Sequence, residues 1–390
     1  MDLHATEWNE VLIATCEKWL EKQCAEAVRR FPLYGGAVEL TVGQATPETY
    51  EAFCAALQGE CLYESHMAGN FYRLLTVRGE SLYLYYTAAD HRIRTIFGCN
   101  VPPKLLSEPC RYGAPICTPT LDVLNMRYDL QGGQNNGLGL VLTLEDGSFL
   151  IYDGGFKNED GDRLLEYLKS HNRRSDGILI SAWILTHGHA DHYGALQRIL
   201  REYSPQIDVR CFLLNPVRNC LEGTDGLGAI SEQASQVYPN AVIAYPHSGM
   251  RFVFSGFTVE VLFTHEDILP RTVGSFNDAS TVTRIITPDG MRCLVTGDIQ
   301  SESRVTILAQ AMGDYLKSDI LQVPHHGDSG GTEELYRLID PSVVIYPTSN
   351  EKFSRICKED WTLAPNAFLL NRLHVKRVIV ADGQARTVFG

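Results

Sequence analysis

The apolar run Ile178-Leu179-Ile180-Ser181-Ala182-Trp183-Ile184-Leu185 empties directly into Thr186-His187-Gly188-His189-Ala190-Asp191-His192-Tyr193-Gly194. A short apolar run that ends in such a loop reads as a buried strand. It presents three histidines and an aspartate from one rigid edge. Neutral imidazole nitrogen and carboxylate oxygen suit a borderline cation such as Zn²⁺. In an irregular loop His187 and His189 can turn to one side while Asp191 and His192 turn to the other, so one loop can serve two neighbouring metals. The device recurs. Cys293-Leu294-Val295-Thr296-Gly297 leads to Asp298, and Asp319-Ile320-Leu321-Gln322-Val323-Pro324 leads to His325-His326-Gly327. Buried strands thus deliver candidate ligands at their C-terminal ends in three places.

The 390 residues are too many for one small core, which implies two or three domains. With 44% apolar and 21% charged residues the composition is that of an ordinary soluble globular protein. No run of eighteen apolar residues exists, so no membrane span is expected. The first residues, Met1 to Glu7, lack the basic and apolar regions of a signal peptide. Eleven cysteines, an odd number without any Cys-x-x-Cys pair, read as reduced thiols in a cytoplasmic protein. A net charge of −13 argues against a general grip on nucleic acid, which needs basic surface, and leaves room only for a local basic groove.

In chain order, Trp8, Leu12, Cys16, Trp19, Leu20, Cys24, Val28 and Phe31 recur at helical steps and predict an amphipathic helix of about six turns. A strand follows at Val38 to Val42. Thr46-Pro47-Glu48 starts a second helix, with Thr46 as N-cap and Pro47 where its missing N–H costs nothing. Strands are predicted at Phe71 to Val77, Leu82 to Thr87 and Arg92 to Phe97. Residues 1–98 therefore form a small α+β domain that could dock substrate, cover a site or support a homo-oligomer. Five prolines between Pro102 and Pro119 make 99–120 a linker or extended wrap. Residues 121–390 form the remaining domain. Its Gln131-to-Gly137 stretch resembles a phosphate cradle only in its glycines and reads as a rim or turn.

The spacing His187-x-His189-x-Asp191-His192 resembles the signature of the metallo-β-lactamase superfamily, and the order of features from 121 to 390 follows that family's plan. The resemblance implies an α/β fold, the four-layer αββα sandwich, here carrying a small N-terminal α+β domain. It implies that Asp153 of Asp153-Gly154-Gly155 supports the metal loop from behind. It also implies a third histidine after a later strand, for which His265 is preferred to His247 because His247 precedes a strand. Asp298 of Thr-Gly-Asp becomes the carboxylate shared by two cations. One of His325 and His326 becomes a ligand, with His326 preferred and His325 left facing the substrate as proton donor or anion partner. The His-His-Gly ending and Phe276-Asn277-Asp278-Ala279-Ser280-Thr281-Val282 look like the branch that includes the soluble domain of DNA-uptake competence proteins. That branch usually has an aspartate where His189 stands and often a His-Pro pair near Asn366.

On this reading two divalent ions, zinc first and manganese or iron as alternatives, are held by His187, His189, His265 and Asp298, and by Asp191, His192, Asp298 and His326. A bridging water then has its pKa lowered toward about 7 and attacks as hydroxide, with Asp191 orienting it. The expected substrate is a small molecule or phosphate ester, first of all a phosphodiester, because the Asp328-Ser329-Gly330-Gly331 loop could offer amides to an oxyanion. Hydrolysis of a thioester, lactone or amide is the alternative. An iron-dependent redox member of the fold and a binding module with a decayed site are alternatives of other classes.

Overall fold

A computed structural model describes residues 3–126, 137–268 and 273–389, with side chains of the first helix from Glu10 onward. The 131–136 stretch read above as a rim or turn, and the side chain of Trp8, lie outside the described residues.

Two sheets stack face to face. The first runs in the order 242–244, 211–213, 178–184, 149–153, 139–143, 120–123 and 386–389. The second runs 251–254, 257–263, 282–286, 292–295, 320–322, 343–346 and 377–380. Their facing side chains share one core. Leu140, Leu142, Leu150, Tyr152 and Ile184 come from the first sheet, and Val259, Val261, Phe263, Val282 and Leu294 from the second. Val141, Phe149, Ile151, Ile180 and Trp183 face the other way, the last two sharing a face because an irregularity between Ile180 and Ala182 resets the period-two alternation, and Leu164, Leu168, Ala195 and Leu196 of the helices Asn158–His171 and Ala190–Arg198 cover them. The helices Glu302–Met312, Glu333–Ile339 and Asp360–Arg372 pack Leu308, Leu335 and Leu369 against the second sheet. This is the expected αββα sandwich.

A third sheet of six strands, in the order 29–32, 38–42, 92–97, 80–87, 70–77 and 60–67, belongs to the N-terminal part. It is buried on both faces. Leu75, Val77, Leu82, Leu84 and Tyr86 meet the helices Leu3–Cys24 and Pro47–Leu57, while Tyr72, Leu74, Tyr83 and Tyr85 join the core of the sandwich. Two tyrosines carry their polar ends into that contact: the Tyr83 hydroxyl donates to Ser248 O at 2.6 Å and the Tyr63 hydroxyl to Gly249 O at 2.9 Å.

Several local expectations change. The first helix ends at Cys24, where Ala25 adopts φ 52°, so Phe31 lies instead in the strand Arg29–Pro32. The second helix starts as read, Thr46 Oγ1 accepting from Thr49 N at 3.2 Å. The strand Glu60–Met67 is an addition to the expected elements: only Tyr63, Ser65 and Met67 turn inward, and the polar Ser65 breaks the apolar alternation of that face. Within 99–120 proline does not exclude helix. Pro103 opens the helix Pro103–Ser107, where a missing N–H is harmless, and Leu105 and Leu106 enter the shared core.

Candidate metal centre

The C-terminal ends of neighbouring strands place the ligands. After Ile178–Ile184 the chain runs through Thr186 to His189, and the helix Ala190–Arg198 begins, with Asp191 and His192 in its first turn. Behind this loop Asp153 closes the adjacent strand Phe149–Asp153 with φ 56°. Its carboxylate accepts from Thr186 N at 2.8 Å and stands 2.7 Å from His192 Nδ1. That pairing turns His192 Nε2 inward. Burial pushes the Asp153 carboxyl up, against the pull of the neighbouring His192 charge.

Asp298 follows the strand Arg292–Val295 through a Thr-Gly turn that Gln322 clamps from the next strand. Gln322 Oε1 accepts from Thr296 N at 2.8 Å and Gly297 N at 2.9 Å, and its Nε2 donates to Gly297 O at 3.1 Å. Asp298 Oδ2 then lies 3.1 Å from His192 Nε2 and 2.9 Å from His326 Nε2. Burial works to raise its pKa, but the His326 and His192 charges hold the carboxyl well below its usual range. His192 is likewise opposed by burial, yet the Asp298 and Asp153 charges hold its pKa well above the ordinary value.

His325 and His326 both adopt left-handed backbone, with φ 46° and 57°, followed by Gly327 at 90°. Such conformations cost of order 1–3 kcal/mol each in non-glycine residues and cluster at functional sites. Here they send the two rings apart. His326, with its Nδ1 2.9 Å from Pro347 O, turns Nε2 to Asp298. His325 places Nδ1 2.6 Å from Ser329 Oγ and Nε2 3.2 Å from Asn277 Nδ2. Burial holds its pKa below the ordinary imidazole value. With both ring nitrogens engaged and the ring neutral, this geometry suits a positioning role better than the expected proton donor.

Asp191, His192, Asp298 and His326 bring one ligand atom each within 4.8 Å of one another. Three of the four are buried, and Asp191 stays 26% exposed, its Oδ2 3.9 Å from His326 Nε2. His326 Nε2 and Asp298 Oδ1 are buried without a hydrogen-bond partner. Buried polar atoms left without a partner where these four side chains converge fit a cation, and the two-nitrogen, two-carboxylate set fits zinc or a harder divalent ion.

The structure does not bring His265 into this group. After the strand Phe257–Phe263 and the extended Thr264 the chain turns into the short helix His265–Asp267, and His265 is buried with Nε2 3.5 Å from Glu266 Oε1. Its competitor His247 sits at the same carboxylate, Nδ1 3.1 Å from Glu266 Oε1. His187 and His189 do lie beside the group: the His187 ring packs tilted against His192 with ring centroids 4.1 Å apart, and His187 Nε2 is 3.2 Å from His189 Nδ1. Residues that sequence reasoning missed complete this side. Asn277 Oδ1 is 2.6 Å from His189 Nδ1, and Glu222 Oε2 is 3.0 Å from His189 Nε2. Asn277 stood in the quoted Phe276-to-Val282 segment; Glu222 gave no signal of any kind. The loop of Glu222 is tied down by Asp225, which accepts from Val217 N and Leu227 N at 2.8 Å each. A groove of about 650 Å³ opens on its far side, between Tyr34-Gly35-Gly36 of the N-terminal part and Arg218, Gly223, Asp225 and Glu232.

The chain is similar to several known proteins. Among curated proteins, Recombination protein 2 of Haemophilus influenzae is 26% identical over 264 residues, which are 65% of this chain and 28% of that protein. The uncharacterized protein YcaI of Escherichia coli is 26% identical over 208 residues, 52% of this chain and 22% of that protein. The matched region thus spans about a quarter of the length of these curated relatives. Among solved structures, a diphosphatase of the PhnP family aligns with a TM-score of 0.39 at 13% identity, covering 69% of this chain and 97% of that one. A metallo-β-lactamase of Cronobacter sakazakii with a HARLDQ motif aligns with a TM-score of 0.33 at 13% identity, over 66% and 90%. The family model of the metallo-β-lactamase superfamily matches residues 137–347, from the glycine that leads into the strand Gly139–Thr143 to the proline whose carbonyl holds His326. On that match, over half of its length, the chain belongs to the metallo-β-lactamase superfamily.

Proposed function

We propose that this protein is a divalent-metal-dependent hydrolase of phosphate esters, and of phosphodiesters first. The observation that carries the reading is the convergence of Asp191, His192, Asp298 and His326 on one buried point. A divalent cation held there supplies Lewis acidity, lowering the pKa of water and neutralising charge on substrate oxygens. The chain's own residues do the rest. Asp153 and Pro347 O fix the outer nitrogens of His192 and His326, so both rings are held before substrate arrives. Asp191 is the member of the group that solvent reaches, and it is placed to orient the attacking water and take its proton. The loop Asp328-Ser329-Gly330-Gly331 follows His325, whose Nδ1 is 2.6 Å from Ser329 Oγ, and its amides are the candidate contacts for an anionic ester.

Phosphodiesters come before acyl substrates on two grounds. The His-His-Gly ending with its glycine-rich loop suits an oxyanion, and one relative bears the name Recombination protein 2. The net charge of −13 favours a small ester over a long polynucleotide. Assay of bis-p-nitrophenyl phosphate beside a lactone and a thioester, with zinc or manganese supplied, tests the reading. Turnover of the diester at least about tenfold above the acyl substrates is expected; the reverse order assigns the site to acyl transfer.

A further inference from the structure

We propose that Lys352 is a positioning residue for the metal centre: its ion pair with Asp328 holds the left-handed turn His325-His326-Gly327 that aims His326 at Asp298. The proposal rests on reading the site as a metal centre and says what keeps one of its ligands in place.

The turn needs to be held. Its three successive residues have φ 46°, 57° and 90°, and only the last is glycine. Other residues keep to that region only where their surroundings over-determine it. Close packing does part of this, since a Cβ on Gly327 would stand 2.6 Å from Ile356 Cδ1 and 2.7 Å from Tyr346 Cε1. Hydrogen bonds hold the ends: His325 N donates to Gly297 O at 3.2 Å, and Asn366 Nδ2 donates to Gly327 O at 3.1 Å. The anchor is the next residue, Asp328. Its N–H donates back to His325 O at 2.9 Å and closes the turn, and its carboxylate meets the Lys352 ammonium.

Lys352 is placed by the same stretch of chain that holds the His326 ring. The strand Val343–Tyr346 leads to Pro347, whose O lies 2.9 Å from His326 Nδ1. Two residues on, Ser349 Oγ accepts from Lys352 N at 3.1 Å and caps the helix Asn350–Ile356. One segment therefore grips the turn twice, at the His326 ring and at the Asp328 carboxylate. The Lys352 side chain is only 2% exposed and that of Asp328 16%. A buried ion pair adds little net stability, because the desolvation of both charges offsets their attraction. What this pair fixes is the position of Asp328, and through it the turn.

The sign of the effect separates this role from a purely electrostatic one. Burial lowers the Lys352 pKa against the pull of the Asp328 and then the Asp298 charge, so the ammonium lies within the field of the metal centre. By Coulomb's law alone, removing a positive charge there tightens a bound cation. Loss of the anchor loosens it.

Competition of metal-free full-length protein with a chromophoric chelator for Zn²⁺, well below the melting temperature of each variant, tests this without an activity assay. Lys352→Met should bind zinc about tenfold or more weakly than wild type. Lys352→Met/Asp328→Asn removes both charges together and leaves neither unpaired, and it should show the same loss. Should the single variant fail to fold, the double variant carries the test. Zinc affinity equal to or tighter than wild type in either folded variant overturns the proposal and leaves the proposed function standing. A wild type that binds no zinc removes both.

Discussion

His192 Nδ1 and Asp153 Oδ2 stand 2.7 Å apart, both side chains wholly buried, at the meeting of the metal loop and the strand beside it. Asp153 touches no other member of the ligand group, yet it sets which nitrogen of His192 faces Asp298. Replacing it with asparagine keeps the size and tolerates the left-handed backbone at φ 56°. Asp153→Asn should weaken metal binding by about 10- to 100-fold, measured by competition with a chromophoric chelator. Unchanged affinity would show that the ring is held by packing alone.

The adjacent histidines separate by role. His326→Ala should strip the metal held with Asp191, His192 and Asp298, whereas His325→Ala should retain it and lower kcat/KM by about tenfold through loss of positioning. Metal analysis of the two purified variants decides between them, and the opposite pattern would reverse the assignment.

His265 gives a sharper contrast with the family pattern. His265→Gln should keep the wild-type metal content, because the residue lies at Glu266 and outside the four-residue group. A fall in melting temperature without a fall in bound metal is the expected result. Loss of one equivalent would return His265 to the ligand set.

The buried pair His247–Glu266 makes stability depend on pH. Burial works to lower the His247 pKa, but the Glu266 charge and a contact to Cys99 raise it to about 10. The folded value thus exceeds the unfolded value of about 6.5. The stabilisation is fully present below that unfolded value and is lost as pH rises toward about 10. His247→Gln leaves Glu266 buried beside a neutral partner and should cost about 3 kcal/mol or more at pH 7. The gap in melting temperature between variant and wild type should narrow steadily toward alkaline pH; a constant gap would contradict the pairing.

The sandwich and the metal loop were legible because each depends on local pattern. The run Ile178 to Leu185, the Thr-Gly-Asp turn and the His-His-Gly ending are contiguous signals, and each sits at the end of a strand in the structure. His265 has the local setting of a ligand, a histidine directly after an apolar strand, but the short helix His265–Asp267 that follows sets it against Glu266. Asn277 and Glu222 reach His189 from 88 and 33 residues away in sequence, so no spacing could join them to the loop. The N-terminal sheet was readable as α+β but not as a layer buried on both faces, because the tyrosines Tyr72, Tyr83 and Tyr85 that carry its second face look like solvent-facing residues until their partners are known.

The account stands most directly on Asp298, whose Oδ2 meets both His192 and His326. Elemental analysis of wild type and Asp298→Asn, purified alike and assayed on bis-p-nitrophenyl phosphate, is the measurement that tests it. The account predicts bound divalent metal in the wild type, its loss in the variant, and diester hydrolysis lower by about a thousandfold or more. A variant that keeps both its metal and its activity would contradict it.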